Sequence, residues 1–133
     1  MRNRFKAFCV LLFFVAMFLL VQPSLSLAAN NIAVAAAGEN ENSEISPVAG
    51  RAPYYLIFDE NGVFVKFIEN SGRSSRRDSS SAVVDLLLKE SCKTVIAGQF
   101  GEKMKSRLRA NRIEFYERTG TVRNVLKTFG SGK

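Results

Sequence analysis

No histidine and no tryptophan occur in this chain of 133 residues; cysteine appears twice and proline three times. The missing imidazole excludes Ser-His-Asp and Cys-His nucleophilic arrangements and removes the commonest metal ligand. Zinc would be left with one cysteine and carboxylates, a poor donor set. Paired-carboxylate hydrolysis needs two acids at a defined separation, and no spacing among Asp59, Glu60, Asp78 and Asp85 singles out a pair. The chain is expected not to be an enzyme. The apolar stretch Ala7 to Val21 has 15 residues, short of the about 20 that a membrane-spanning helix needs.

That stretch follows the basic opening MRNRFK and ends before Pro23, with small residues at Ser26 and Ala28. Basic, apolar, then small-x-small is the order of a secretory signal peptide. The reading is a signal over 1–28, cleaved after Ala28, and a mature domain over 29–133 that is exported, periplasmic or secreted. The alternative is an uncleaved segment that anchors the chain in a membrane. Nothing around Cys9 resembles a lipoprotein cleavage site.

Cleavage removes Arg2, Arg4 and Lys6 and leaves 105 residues with 16 cations against 12 acids, a net charge of +4. That is the size of one small domain. A surplus so modest does not announce a nucleic-acid binder, and export makes nucleic acid a poor partner. Cys9 leaves with the signal and Cys92 stands alone, so no intramolecular disulfide forms. Cys92 is expected to be buried, as a free cysteine behaves like a small apolar residue.

Periodicity orders the elements. Asn31–Ala37 reads as a buried strand, followed by the polar loop GENENSEISP. Tyr54–Phe58 and Val63–Ile68 are strands joined by Asp59-Glu60-Asn61-Gly62, with Asn-Gly a strong hairpin signal. Alternation places Val63, Val65 and Phe67 on one face of the third strand, and Phe64, Lys66 and Ile68 on the other. After a Ser/Arg loop whose last serines are suited to capping, Ala82–Ser91 reads as a helix. Then come strand Thr94–Ala97, helix Glu102–Asn111 with Met104 and Leu108 on one face, strand Ile113–Tyr116 and helix Val122–Phe129. The order β-β-β-α-β-α-β-α predicts a single α/β domain, a mixed sheet with helices on its faces.

In open α/β sheets, ligands bind beyond the carboxyl ends of the parallel strands. Four segments are expected there: Gly38–Arg51, Asn70–Ser81, Gly98-Gln99-Phe100-Gly101 and Thr119-Gly120-Thr121. Three lead into helix N-termini, whose free N–H groups favour an anion, and Arg51, Arg73, Arg76 and Arg77 add positive charge. The expected binding residues are Gly50, Arg51, Gln99, Gly101 and Thr121. Lys103, Lys105, Arg107, Arg109 and Arg112 are expected to form the solvated face of the second helix, and Arg51 to meet Glu44 or Asp59 at the surface.

Four stretches carry a family resemblance: IAVAAAG, SPVAGRAPYYLIFD, VIAGQFGEKMKSRLRANRIEFYE and GTVRNVLKTF. Gly-Arg-Ala-Pro with a following aromatic, Ile-Ala-Gly-x-x-Gly and the late Gly-Thr-Val together resemble the dinitrogenase iron–molybdenum cofactor biosynthesis family, from about Asn31 to Phe129. The resemblance implies a ribonuclease-H-like α/β fold, with a five-stranded mixed sheet in the order 3-2-1-4-5, strand two antiparallel and about three helices. It also implies an iron–sulfur or iron–molybdenum cluster precursor as the cargo of some members. Family members often have His-Phe where this chain has Val48 and Ala49, and a glycine-rich stretch where it has SGRSSRRDSSS. The functional expectation is therefore an exported binding domain for an anionic ligand or metal cluster. Its alternative is an exported protein-interaction module, with an unspecified partner, that kept the fold and lost the ligand.

Overall fold

The computed structural model describes residues 29–74 and 78–131; the proposed signal segment over 1–28, Arg76 and Arg77 lie outside them. Among the described residues no helix is long and apolar enough to cross a membrane. The strands are β1 (Asn31–Ala36), β2 (Tyr54–Phe58), β3 (Phe64–Glu69), β4 (Cys92–Ala97) and β5 (Glu114–Glu117). The helices are α1 (Ser79–Lys89), α2 (Glu102–Ala110) and α3 (Val122–Ser131). Short 3₁₀ turns at Ala49–Arg51 and Ser71–Ser74 flank the β2–β3 hairpin.

The sheet order is β3-β2-β1-β4-β5. β1 pairs parallel with β4, and β4 with β5; β2 is antiparallel to both β1 and β3. Period-two alternation divides β1 and β2 between two cores. Ala33, Ala35, Tyr55 and Ile57 point to the side of α1 and α2, where Val83, Leu87, Met104 and Leu108 close the layer. Val34, Ala36, Leu56 and Phe58 point to the other side, against Val122, Val125, Leu126 and Phe129 of α3. The alanines of β1 let helices approach both faces of the central strand. β1 and β2 are thus buried on both sides, which is why they read as continuous apolar runs.

Two local expectations are corrected. The first helix begins at Ser79, so its serines lie inside the first turn and Asp78 is the capping residue. An aspartate accepts hydrogen bonds and its charge favours the helix N-terminus, so it outcompetes the serines. In β3 the simple alternation fails. Phe64 faces Phe58, yet Lys66 faces Ile57 and Phe67 faces Leu56, so Val65 is an extra, bulged residue. Phe64 and Phe67 therefore share the α3 side, while Lys66 turns to the α1 side and pairs with Glu90. A one-residue bulge shifts the register of every side chain before it.

The broad apolar face of α1 separates into graded positions: Leu87 is fully buried and Leu88 is 45% exposed. Leu87→Ala is expected to cost about 2–5 kcal/mol through loss of transfer energy and a residual cavity. Leu88→Ala should stay within about 0.5 kcal/mol. Urea unfolding of both variants checks this difference.

Candidate functional site

The polypeptide itself closes the carboxyl ends of β1 and β4. Ser46 donates its backbone N–H to the Ala35 carbonyl, and its own carbonyl accepts from Gly98 N–H, each at 2.9 Å. Ala49 N–H donates to Gln99 O, and Ile45 N–H to Gly120 O, also at 2.9 Å. Residues 44–49 thus lie across the strand ends and knit the β1, β4 and β5 turns together. Gly98 is needed for this approach: a Cβ there would stand 2.7 Å from Pro47 Cα and 2.8 Å from its carbonyl oxygen.

The Gly-Arg-Ala-Pro turn follows and is held from inside. The buried Tyr55 hydroxyl donates to Ala49 O at 2.5 Å. Asn70, 4% exposed, donates to Ala52 O at 2.9 Å and Gly50 O at 3.3 Å. Its Oδ1 accepts from Gly72 N–H. Burial pushes the Tyr55 phenol far above its ordinary range, so it remains a donor. Gly50 sits against the start of α1, where a Cβ would meet Ser79 Oγ at 2.7 Å. Arg51 does not reach Glu44 or Asp59 in this arrangement; its Nη1 donates to the Arg73 carbonyl at 3.3 Å.

The three helix N-termini at this edge are not equivalent. In α1, Asp78 Oδ1 accepts from Ser81 N–H at 3.1 Å and Ser80 Oγ at 2.7 Å. In α3, Val122 and Arg123 N–H groups donate to the Ser43 and Glu41 carbonyls at 3.0 Å, and Thr121 Oγ1 accepts from Asn124 N–H at 3.4 Å. Only α2 begins without a side-chain cap, at exposed Gly101. It opens on a shallow cavity of about 200 Å³ lined by Val48, Gly50, Arg51, Asp78, Gly101 and Lys103, with Ser79, Ser80 and Met104 completing the wall. Of the five residues expected from sequence, Gly50, Arg51 and Gly101 meet here. Gln99 is in the adjoining turn, where its carbonyl anchors Ala49 and its side chain is exposed. Thr121 serves α3 and forms a bridge with Glu44, outside the cavity lining. Larger hollows run along the flanks of α3, including one of about 570 Å³ beside Tyr116 and Phe129.

Sequence reading passed over Asp78, Asn70 and Tyr55 as site residues. Asp78 immediately precedes a serine-rich helix start, and Asn70-Ser71-Gly72 has the composition of an Asx turn. Those signals were available. The long-range targets of the three side chains come only from the fold.

The basic face of α2 is largely engaged. Asp78 Oδ2 takes Arg107 at 2.8 Å and Lys103 at 3.6 Å; Lys105 lies 3.3 Å from Glu117 and 3.5 Å from Glu102. Arg109 stacks over Phe115 at 5.3 Å. The Ser80 and Ser81 hydrogen bonds, with Arg107 and Lys103, hold the Asp78 carboxyl below its ordinary range. Cys92 is the first residue of β4, at the amino end of the strand and away from this edge, and is 1% exposed. Burial, assisted by Glu90, pushes its thiol up to about 12, so it remains protonated. Among the described residues no three His, Cys, Asp or Glu side chains cluster as metal ligands. A metal cluster held by soft protein ligands does not fit this donor set. An anion held by N–H groups and cations does.

Because the Asp78 carboxyl is depressed in the folded state, its contribution to stability is present above the ordinary carboxylate value. It is lost as pH falls through the lower folded value. Asp78→Asn keeps a capping oxygen but removes the charge. It should therefore be less stable than the parent at pH 7, with the gap shrinking as pH is lowered below about 3.9. Thermal unfolding of both proteins across that range provides the check.

The family model described as "Dinitrogenase iron-molybdenum cofactor" matches residues 30–132. The fold is similar to the apo form of the orange protein from Desulfovibrio gigas, at 23% identity and a TM-score of 0.72, covering 77% of this chain and 88% of that one. It is also similar to a putative NifB protein from Thermotoga, at 26% identity and a TM-score of 0.66, with 77% and 89% covered. A putative dinitrogenase from Methanocaldococcus jannaschii is 16% identical with a TM-score of 0.55, covering 78% of this chain and 90% of that one. No curated protein matches at a comparable level of significance. With the family model matched across nearly the whole described domain, this chain belongs to the dinitrogenase iron–molybdenum cofactor family.

Proposed function

We propose that this chain is a non-catalytic, exported binding domain that holds a small anion, or a metal cluster of net negative charge, at the carboxyl edge of its sheet. The observation that carries this reading is the uncapped start of α2 at Gly101, which opens on a cavity shared with Arg51 and Lys103. First-turn N–H groups and the helix dipole attract negative charge, and the Arg51 guanidinium supplies a planar, permanent cation. Gly101 keeps the backbone accessible, buried Gly50 lets its turn pack against Ser79, and Gln99 flanks the cavity with an exposed amide. Thr121 contributes indirectly, by securing the α3 start. Asp78 gives the site its restraint: an anion must compete with this carboxylate for Lys103. In this role the cluster is cargo, retained by charge and backbone hydrogen bonds rather than by protein ligands. The signal segment over 1–28 would deliver the domain across a membrane before cleavage.

A second reading, an exported interaction module that has lost its ligand, rests on Val48. That apolar side chain is 42% exposed at the cavity rim, where family members often carry a histidine.

Residues 29–133, titrated with molybdate and with inorganic phosphate by calorimetry, separate the two readings. Saturable binding that weakens about tenfold in Arg51→Ala, the loss of about 1.4 kcal/mol expected for one charge-assisted contact, supports the binding domain. Unchanged affinity removes Arg51 from the site, and no binding of either anion favours the interaction module. Anaerobic reconstitution with iron and sulfide tests the cluster version; no bound iron and no charge-transfer absorption would end it.

A further inference from the structure

The three helices are divided unevenly between the faces of the sheet. α1 and α2 close one side, whereas α3 alone covers the other among the described residues. Five strands at a spacing of about 4.8 Å set the outer strand axes about 19 Å apart, and one helix is only about 10 Å across. A groove therefore remains between α3 and β5, and the cavity of about 570 Å³ occupies it. That volume is in the range of small-molecule sites.

The lining of this groove is chemically one-sided. Tyr116 of β5 and Phe129 of α3 meet edge-on with ring centroids 4.9 Å apart, and buried Val125 continues the apolar wall. Arg118 supplies the cation, and no acidic side chain lines the cavity. Elsewhere Lys66, Lys105 and Arg123 are each matched to a glutamate, but Arg118 has no ion pair among the described residues. It is nevertheless held in place. Its guanidinium lies over the Tyr116 ring at 5.6 Å, and Nη1 donates to the Glu117 carbonyl at 2.9 Å. The Tyr116 hydroxyl donates to Glu114 at 3.1 Å, which fixes the ring and engages a carboxylate that lies outside the cavity lining. Thr119, next to Arg118, and Asn124, in the first turn of α3, also line the groove. Their side chains hydrogen-bond to no other described residue.

We infer that this groove is a second ligand site, which takes an aromatic monocarboxylate of one or two rings. The planar guanidinium matches the two oxygens of a carboxylate, and the Asn124 amide and Thr119 hydroxyl provide further donors at the polar end. The ring of the ligand lies against Tyr116 and Phe129, where edge and offset contacts add to the gain from burial. A bare oxyanion leaves the apolar wall unused, and a neutral aromatic leaves Arg118 unpaired. The groove is on the opposite face of the sheet from α2 and shares no lining residue with the cavity at Gly101. The inference is therefore independent of the function proposed above.

The test uses a ring-fluorinated naphthoate added to the purified full chain, with binding followed by fluorine NMR line broadening. Broadening should be saturable and should weaken about tenfold in Arg118→Gln, the loss of about one charge-assisted contact. Arg118→Lys should weaken it less, because lysine keeps the charge without the planar fork. The corresponding naphthalene methanol should bind about tenfold more weakly than the acid. Arg51→Ala, at the other cavity, should leave naphthoate binding unchanged. Arg118 is exposed, and its backbone N–H keeps its bond to the Ala97 carbonyl whatever the side chain, so its variants retain the fold. Absence of saturable binding, equal binding of the alcohol, or unchanged affinity in Arg118→Gln would overturn the inference. So would a loss in Arg51→Ala as large as that in Arg118→Gln.

Discussion

The two hydrogen bonds of the Ser46 peptide, one to the end of β1 and one from the end of β4, are the constraint on which the site depends. A parallel strand pair flanked by helices leaves an open crevice beyond its carboxyl ends. Here that crevice is spanned by residues 44–49, and the approach of Pro47 leaves no room for a side chain at position 98. The loop therefore belongs to the structural core, with Ser46 only 4% exposed. It turns the chain into the Ala49–Arg51 turn, fixed beneath by Tyr55 and Asn70. Without that crossing, Arg51 would have no defined position relative to α2.

Capping then determines which helix start is left open for the anion we propose. Each of the three helices starts with unpaired N–H groups, and all three starts lie near one edge. Asp78 serves the first, while backbone carbonyls and Thr121 serve the third. The second starts at a glycine and is left open. Asp78 also draws in Arg107 and Lys103, so the many cations of α2 amount to much less free charge than composition implies. The site is a local electrostatic feature rather than the product of the net charge.

Strand identity, element order and the two-sided burial of β1 and β2 were legible because apolar runs, turn residues and helical spacing all agree. The turn glycines were legible too, and Gly50, Arg51 and Gly101 do converge on one cavity. The start of α1 was misjudged because four consecutive residues, Asp78 to Ser81, all suit a cap. The β3 bulge was invisible because FVKFIE alternates acceptably in either register, and only pairing with β2 identifies the extra residue. The capping of α3 by Thr119-Gly120-Thr121 was legible as well, and Thr121 Oγ1 does accept from Asn124 N–H. The Ala49, Gly50 and Ala52 carbonyls that Tyr55 and Asn70 bond lie 6 to 20 positions away, and local pattern carries no information about such contacts.

Family membership and fold are shown, and anion binding at the open start of α2 is what we propose. The most direct test of the central claim is backbone amide NMR of residues 29–133 during titration with molybdate. The account predicts that the Glu102, Lys103 and Met104 amides shift together and saturably. Amides committed to the chain's own closure, at Ser46, Gly98, Ser81, Val122 and Arg123, should remain protected from exchange and nearly unmoved. Saturable shifts centred on Ser81 or on Val122 and Arg123, with the start of α2 silent, would contradict it.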